Sequence, residues 1–167
     1  MEGNYVKVNE EAREALLNEV AGLSDEEINR KPSVDEWSIK QVLEHLYLFE
    51  LEVIKSVQKE LENGKIEEVK EKPIHLAVHR DIKVEAPNNV KPGEAFVTMD
   101  ELKQNLASSR EKLQEFVKNV DKRLLQQKSL PHPGFKRLSL AQWIEFIGWH
   151  EKRHILQIKE VKEKLAI

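Results

Sequence analysis

Two histidines near the carboxyl end of the chain, His150 and His154, have a spacing that lets both side chains act on one ligand. In an α-helix, residues four apart lie on adjacent turns of one face, with Cβ atoms about 5–6 Å apart. Imidazole nitrogens at that separation can converge on one divalent ion at about 2.0–2.1 Å. The pair therefore predicts a metal site, and two hydrogen-bonded core histidines are the alternative interpretation.

The pair lies in a predicted amphipathic helix that begins near residue 139. At about 100° per residue, both histidines fall in the apolar stripe of this helix. Burying a polar ring without a partner costs a few kcal/mol, so histidines at core positions need ligands or hydrogen bonds. The other members of the stripe are Trp143, Phe146, Ile147, Gln157, Val161 and Leu165.

His45 is the candidate for a third ligand. It lies in an earlier predicted helix, one turn from Phe49 and at the edge of the apolar stripe, so it can face the interior near solvent. The other histidines, His75, His79 and His132, fall in a long connection or a turn, where a solvated imidazole is the expected state. For His132, which lies between two prolines, an approach to the site is the alternative.

Residues 150–154 also spell H-E-x-x-H, the motif in which two histidines bind zinc and the glutamate is the general base of a protease. Only thirteen residues follow His154, none of them histidine, and no sheet is predicted upstream. We therefore do not favour the protease interpretation. Glu151 lies about 100° around the helix from His150, which favours an outer or surface position. Glu151 and Gln157 remain the candidate catalytic residues.

Four segments with a helical apolar period predict the elements that position these residues. They span approximately residues 9–23, 38–64, 98–124 and 139 to near the carboxyl end. Residues 64–97 contain three prolines and two glycines and lose the period, which indicates a long crossover. No segment alternates with period two for long enough to propose a sheet. The fold class is therefore all-α, a four-helix bundle with a long crossover loop between helices 2 and 3.

Composition narrows the class of protein. A length of 167 residues favours a single domain over 1–167. The net charge of −3, without a block of basic residues, argues against nucleic-acid and membrane partners. The chain has no cysteine, so thiolate nucleophiles and disulfides are excluded. It shows neither a signal peptide nor an apolar run of membrane-spanning length, and a cytoplasmic location is expected.

Four stretches of the chain together resemble the DinB/YfiT-like superfamily: residues 23–29, 37–46, 132–135 and 138–158. The resemblance implies a four-helix bundle, often a homodimer, with a metal bound by His45, His150 and His154. Zinc and nickel are both implied as occupants, with water at the remaining positions. Gly134 precedes Phe135 where relatives often have phenylalanine first, a departure that leaves the three ligands unchanged.

The superfamily includes thiol S-transferases that use bacillithiol or mycothiol, a thiol-dependent isomerase, and proteins described only as metal-dependent hydrolases. Because this chain has no cysteine, a thiol nucleophile must come from a cofactor such as bacillithiol. The expected function is a metal-dependent enzyme, a thiol transferase or a hydrolase, acting on a small-molecule substrate. The alternative is a non-catalytic, stress-related binding module that the metal stabilises.

Overall fold

The computed structural model describes residues 4–81 and 86–167, which form a bundle of four long helices. The long helices are α1 (Asn4–Val20), α3 (Ile39–Asn63), α4 (Met99–Asn119) and α6 (Leu140–Leu165). The shorter elements are α2 (Asp25–Asn29), α5 (Lys122–Gln127), two 3₁₀ turns (Ile74–Val78 and Asn88–Val90) and strands β1 (Ser129–His132) and β2 (Lys136–Ser139). The predicted bundle and its long crossover between α3 and α4 are confirmed. No helix in the described residues is long and apolar enough to cross a membrane.

Serine caps start both helices that carry the candidate ligands. Ser38 Oγ accepts the Gln41 N–H at 3.1 Å, and Gln41 Oε1 accepts the Ser38 N–H at 3.0 Å, a complete capping box. Ser139 Oγ accepts the Gln142 N–H at 3.1 Å. Each cap stabilises its helix by about 1 kcal/mol. The caps fix where α3 and α6 begin and therefore the level at which their histidines lie.

Two details of the fold differ from the sequence prediction. The helix predicted over residues 98–124 ends at Asn119 instead. Asp121 caps a new helix, α5, by accepting the Arg123 N–H at 2.9 Å. Leu125 is consequently buried instead of Leu124. Where a simple turn was predicted, β1 and β2 pair as an antiparallel hairpin. Strands of four residues are at the lower limit for recognising alternation, and Pro131 disfavours a strand over the residues of β1.

Helices α1 and α6 approach each other closely at Gly148. A Cβ atom there would lie 2.6 Å from Asn9 Oδ1 and Val8 Cγ1 and 2.8 Å from the Val8 carbonyl carbon, so the α1 backbone would have to shift. Asn9 Nδ2 donates to the Ile144 carbonyl at 3.1 Å across the same contact. Glycine at this position lets α1 lie directly on α6, which brings polar residues of α1 to the centre of the bundle.

Four charged side chains meet at that centre, one from each long helix. We call Arg13 (α1), Glu50 (α3), Arg110 (α4) and Glu151 (α6) the buried quartet. Arg13 binds both oxygens of Glu151, at 3.2 Å from Nε and 3.0 Å from Nη2, and Arg110 Nε donates to Glu50 at 2.8 Å. Arg13 Nη2 also lies 3.6 Å from Glu50, and Arg110 Nη2 lies 3.8 Å from Glu151. The two glutamates are 0% and 2% exposed, so Glu151 is not at the surface.

We predict that Arg13→Met lowers the free energy of unfolding in urea by roughly 3–5 kcal/mol, because it leaves a buried carboxylate without its main partner. Arg123→Met is the matched control, since that arginine pairs with Asp121 at the surface, where ion pairs contribute little. Equal effects of the two substitutions on unfolding would contradict the assignment of Arg13 to a buried ionic network.

Candidate metal centre

Three histidine rings from α3 and α6 turn the same nitrogen toward one point. Nε2 of His150 lies 3.1 Å from Nε2 of His45 and 3.2 Å from Nε2 of His154. Two nitrogens bound at about 2.0–2.1 Å would be about 3.3 Å apart around a tetrahedral ion and about 2.9 Å apart at a right angle. The observed separations lie between these values. The cluster therefore has the dimensions of a three-histidine metal site.

Hydrogen bonds on the outer edges of two rings determine which nitrogen carries the proton. Nδ1 of His45 is 2.7 Å from the Val90 carbonyl oxygen, and Nδ1 of His154 is 2.6 Å from Gln157 Oε1. Both partners are acceptors, so each Nδ1 donates a hydrogen and each Nε2 presents a lone pair. Metal-binding histidines in general donate their other ring N–H in this way, which fixes the tautomer and the ring orientation.

The third ring, His150, cannot satisfy both of its neighbours. Its Nε2 faces two lone pairs and can carry at most one hydrogen, so at least one pair of nitrogens meets lone pair to lone pair. Its Nδ1 is buried and has no hydrogen-bond partner among residues 4–81 and 86–167. A cation between the three Nε2 atoms would satisfy all three lone pairs at once. The donor set therefore fits a divalent ion.

Burial also keeps these rings in the form that binds metal. Removal from water lowers the pKa of His45, lowers the pKa of His150 well below its ordinary value, and lowers the pKa of His154 to about 3. In each case desolvation is the main cause. For His150 and His154, neighbouring groups that are positive when protonated lower the pKa further, whereas hydrogen bonds to Val90 and Gln157 partly oppose the lowering at His45 and His154. All three imidazoles are therefore neutral at physiological pH, as metal coordination requires.

Aromatic rings pack around the three histidines. Phe49 stacks on His150 with ring centroids 3.8 Å apart and an interplanar angle of 22°. Trp37 lies 5.2 Å from the His45 ring, and Phe146 lies 6.1 Å from the His150 ring. These contacts limit ring rotation and lower the polarity of the surroundings, which strengthens any electrostatic interaction within the cluster.

The hairpin brings a fourth histidine to this aromatic wall. The ring of His132, expected to be solvated, is half-buried and lies 4.6 Å from the ring of Phe146. Its Nδ1 accepts the backbone N–H groups of Gly134 at 2.9 Å and Phe135 at 3.2 Å, so its proton is on Nε2. Desolvation lowers the pKa of His132 to about 4. The ring is thus a neutral donor beside the site and not one of the three converging ligands.

The crossover loop takes part in the site through Val90, which the sequence did not indicate. Three residues further on, the Gly93 carbonyl accepts hydrogen bonds from Lys40 Nζ at 3.0 Å and Gln41 Nε2 at 3.1 Å. The Gly93 N–H donates to Glu44 Oε1 at 2.9 Å. The loop is therefore held against the first turns of α3, where its Val90 carbonyl meets the His45 ring.

The two candidate catalytic residues are in different surroundings. Gln157 lies on the predicted stripe and accepts the hydrogen bond that orients His154. Glu151 lies in the buried quartet, where its two oxygens are held by Arg13. Burial raises the pKa of Glu151, and the neighbouring arginines oppose that rise. The geometry thus gives Gln157 a ligand-orienting position and directs the Glu151 carboxylate toward α1.

Comparisons with known proteins agree with this architecture. The family model of the DinB superfamily matches residues 9–158. YuaE from Bacillus subtilis (strain 168), described as an uncharacterised protein, is 41% identical over 155 residues, which are 93% of this chain and 95% of YuaE.

Two solved structures share the fold. TT2238, described as a four-helix bundle protein, superposes with a TM-score of 0.60 at 17% identity, covering 94% of this chain and 96% of its own. YfiT from Bacillus subtilis, described as a probable metal-dependent hydrolase with an unusual four-helix bundle topology, gives 0.62 at 15% identity, covering 98% and 86%. These likenesses confirm the four-helix bundle.

We predict that chelator-treated protein loses stability as the pH falls from about 7 toward 4. The pKa of His154 is about 3 in the folded chain and about 6.5 when unfolded. Between these values the unfolded chain binds a proton that the folded chain does not, so stability decreases with decreasing pH. Urea unfolding at several pH values measures the slope of the free energy of unfolding against pH.

The slope should be shallower in His154→Gln and unchanged in the control His79→Gln, whose side chain is exposed. A His154→Gln slope equal to that of the original protein would show that the ring is not held neutral by the fold.

Proposed function

The chain belongs to the DinB superfamily, and on that premise we propose that it binds a divalent metal ion through His45, His150 and His154 and is a metal-dependent enzyme. The observation that carries the proposal is the convergence of three Nε2 atoms, in which Nε2 of His150 lies 3.1 Å from that of His45 and 3.2 Å from that of His154, on buried or half-buried side chains. Zinc and nickel both suit imidazole ligands. A homodimer in the cytoplasm belongs to the same proposal.

Three protein ligands leave at least one coordination position for another molecule, which is the arrangement of catalytic zinc sites and not of structural ones. The bound ion would supply a positive charge that lowers the pKa of a thiol or water held beside it. The polypeptide supplies the rest. Val90 and Gln157 hold two ligand rings in the required tautomer, and Phe49, Phe146 and Trp37 keep the surroundings apolar.

We favour thiol transfer as the reaction. The chain contains no cysteine, so the nucleophile must be a small-molecule thiol such as bacillithiol. The thiol loses its proton to solvent water, its sulfur forms a bond to an electrophilic carbon of the substrate, and a halide or other leaving group departs from that carbon with the bonding electrons. His132 can donate a hydrogen bond to the substrate from Nε2, because its Nδ1 is occupied by the hairpin turn.

Hydrolysis is the second candidate, with water in place of the thiol. The description of YfiT as a probable metal-dependent hydrolase favours it. The same three ligands and the same apolar wall would serve both reactions, so the choice depends on the molecule that enters. A third candidate is a non-catalytic module in which the metal stabilises the bundle.

We predict that the purified protein retains stoichiometric zinc or nickel, measured by mass spectrometry of the metal. It should also conjugate bacillithiol to 1-chloro-2,4-dinitrobenzene. In His150→Ala the conjugation should be lost, because two remaining ligands hold the ion weakly, while the melting temperature of chelator-treated protein changes little. The control His79→Ala, on an exposed loop side chain, should retain metal and conjugation.

The three candidates give different results. Loss of conjugation with an intact fold supports a catalytic metal, whereas a large drop in melting temperature on metal removal supports the stabilising module. Release of chloride without a thioether product would favour hydrolysis. Stoichiometric metal in His45→Ala/His150→Ala would refute the ligand assignment.

A further inference from the structure

The buried quartet lies directly beside the candidate metal centre. On α3, Glu50 follows Phe49, and on α6, Glu151 follows His150. The Phe49 ring stacks on the His150 ring at 3.8 Å, and Arg13 reaches both glutamates, at 3.6 Å and 3.0 Å. Arg13 therefore bridges α3 and α6 at the same level at which their aromatic rings meet.

The direction of a glutamate side chain constrains the histidine next to it. Successive residues of a helix are rigidly related by about 100° of rotation and 1.5 Å of rise. When Arg13 holds Glu151 through two parallel hydrogen bonds, it fixes the direction of the carboxylate as well as its distance. The rotation of α6 about its own axis is then fixed, and with it the direction of the His150 ring.

Each arginine is also held to the backbone of another helix. Arg13 Nη1 donates to the Leu106 carbonyl of α4 at 2.9 Å. Arg110 Nη1 donates to the Asn9 carbonyl of α1 at 2.9 Å. Ser109 Oγ donates to Glu50. The two arginines are thus hydrogen-bonded to backbone carbonyls of α4 and α1. These bonds are directional, whereas the hydrophobic effect is not.

Stability does not by itself account for four charges in a helical core. Their formal charges sum to zero, yet taking each one out of water is costly, and apolar side chains of similar volume often give equal or higher stability. What the charges can add to apolar packing is direction, because each charge-assisted hydrogen bond forms only in a narrow range of geometries.

We propose that the buried quartet is a positioning device for the metal centre, which fixes the rotation of α3 and α6 so that their histidines meet at coordination distance. Glu151, the glutamate of the H-E-x-x-H stretch, is then a positioning residue and not a general base. The inference rests on the proposed metal binding, because the quartet has nothing to position if the three histidines hold no ion.

The test replaces the four charges with apolar side chains of similar size: Arg13→Met, Glu50→Leu, Arg110→Met and Glu151→Leu. Chelator-treated protein is titrated with cobalt(II), whose visible spectrum reports both affinity and coordination geometry. The urea midpoint should be unchanged or higher, while the dissociation constant for cobalt increases at least tenfold and the spectrum changes. A merely structural quartet would leave the cobalt affinity and the spectrum unchanged, whatever the change in the urea midpoint.

A matched control removes another ion pair between the same two helices, α1 and α6. Glu19 and Lys162 pair at 3.3 Å near the bundle end and are partly exposed. In Glu19→Leu/Lys162→Met, cobalt affinity and spectrum should equal those of the original protein.

Arg13→Lys keeps the test decisive if the fourfold variant does not fold. It preserves the charge and removes the two-pronged geometry, so cobalt should bind at least threefold more weakly, with a changed spectrum. The inference is overturned if the fourfold variant, or Arg13→Lys where the fourfold variant does not fold, binds cobalt with the original affinity and spectrum. If the original protein binds no cobalt, the proposed function itself fails, which is a different result.

Discussion

The main constraint on the candidate site is that three imidazole nitrogens face one another and have more lone pairs than hydrogens between them. Val90 and Gln157 fix the protons of His45 and His154 on the outer nitrogens. Nε2 of His150 can carry one hydrogen at most, so it can donate to only one of these two neighbours. Such an arrangement is unfavourable in a buried pocket unless a cation lies at its centre. The capped starts of α3 and α6, the docked crossover and the aromatic wall all serve to hold the three rings in that arrangement.

Helices α3 and α6 each present two functional faces. One face carries the histidines and the rings packed on them, and the adjacent face carries the glutamates of the buried quartet. A neutral face with the candidate metal ligands and a charged, paired face are separated by a single residue step on each helix. The close approach of α1 at Gly148 completes this arrangement, because it lets Arg13 reach the carboxylates of both helices.

The sequence predicted the parts of the site that follow from helical period and missed those that depend on long-range contacts. The positions of His150, His154 and Gln157 could be predicted because they recur in an apolar stripe, and His45 because it lies at the edge of another. Val90 could not be found, since a backbone carbonyl in an aperiodic loop leaves no pattern in the side chains.

The partners of Glu151 were hidden for a related reason. Arginines on amphipathic helices normally lie at the surface, and only the packing of α1 against α6 turns Arg13 inward. The sequence does not predict the hairpin, because its strands have four residues each and β1 contains Pro131. Without the hairpin, nothing in the sequence decides between a solvated turn and a place beside Phe146 for His132.

The central claim is tested most directly by an anomalous diffraction map of metal-loaded crystals, recorded at the absorption edge of the bound metal. The account predicts one peak about 2.0–2.1 Å from Nε2 of His45, His150 and His154, with their Nδ1 atoms turned away. A peak bound to other residues, bound through Nδ1 atoms, or absent from this pocket would contradict it.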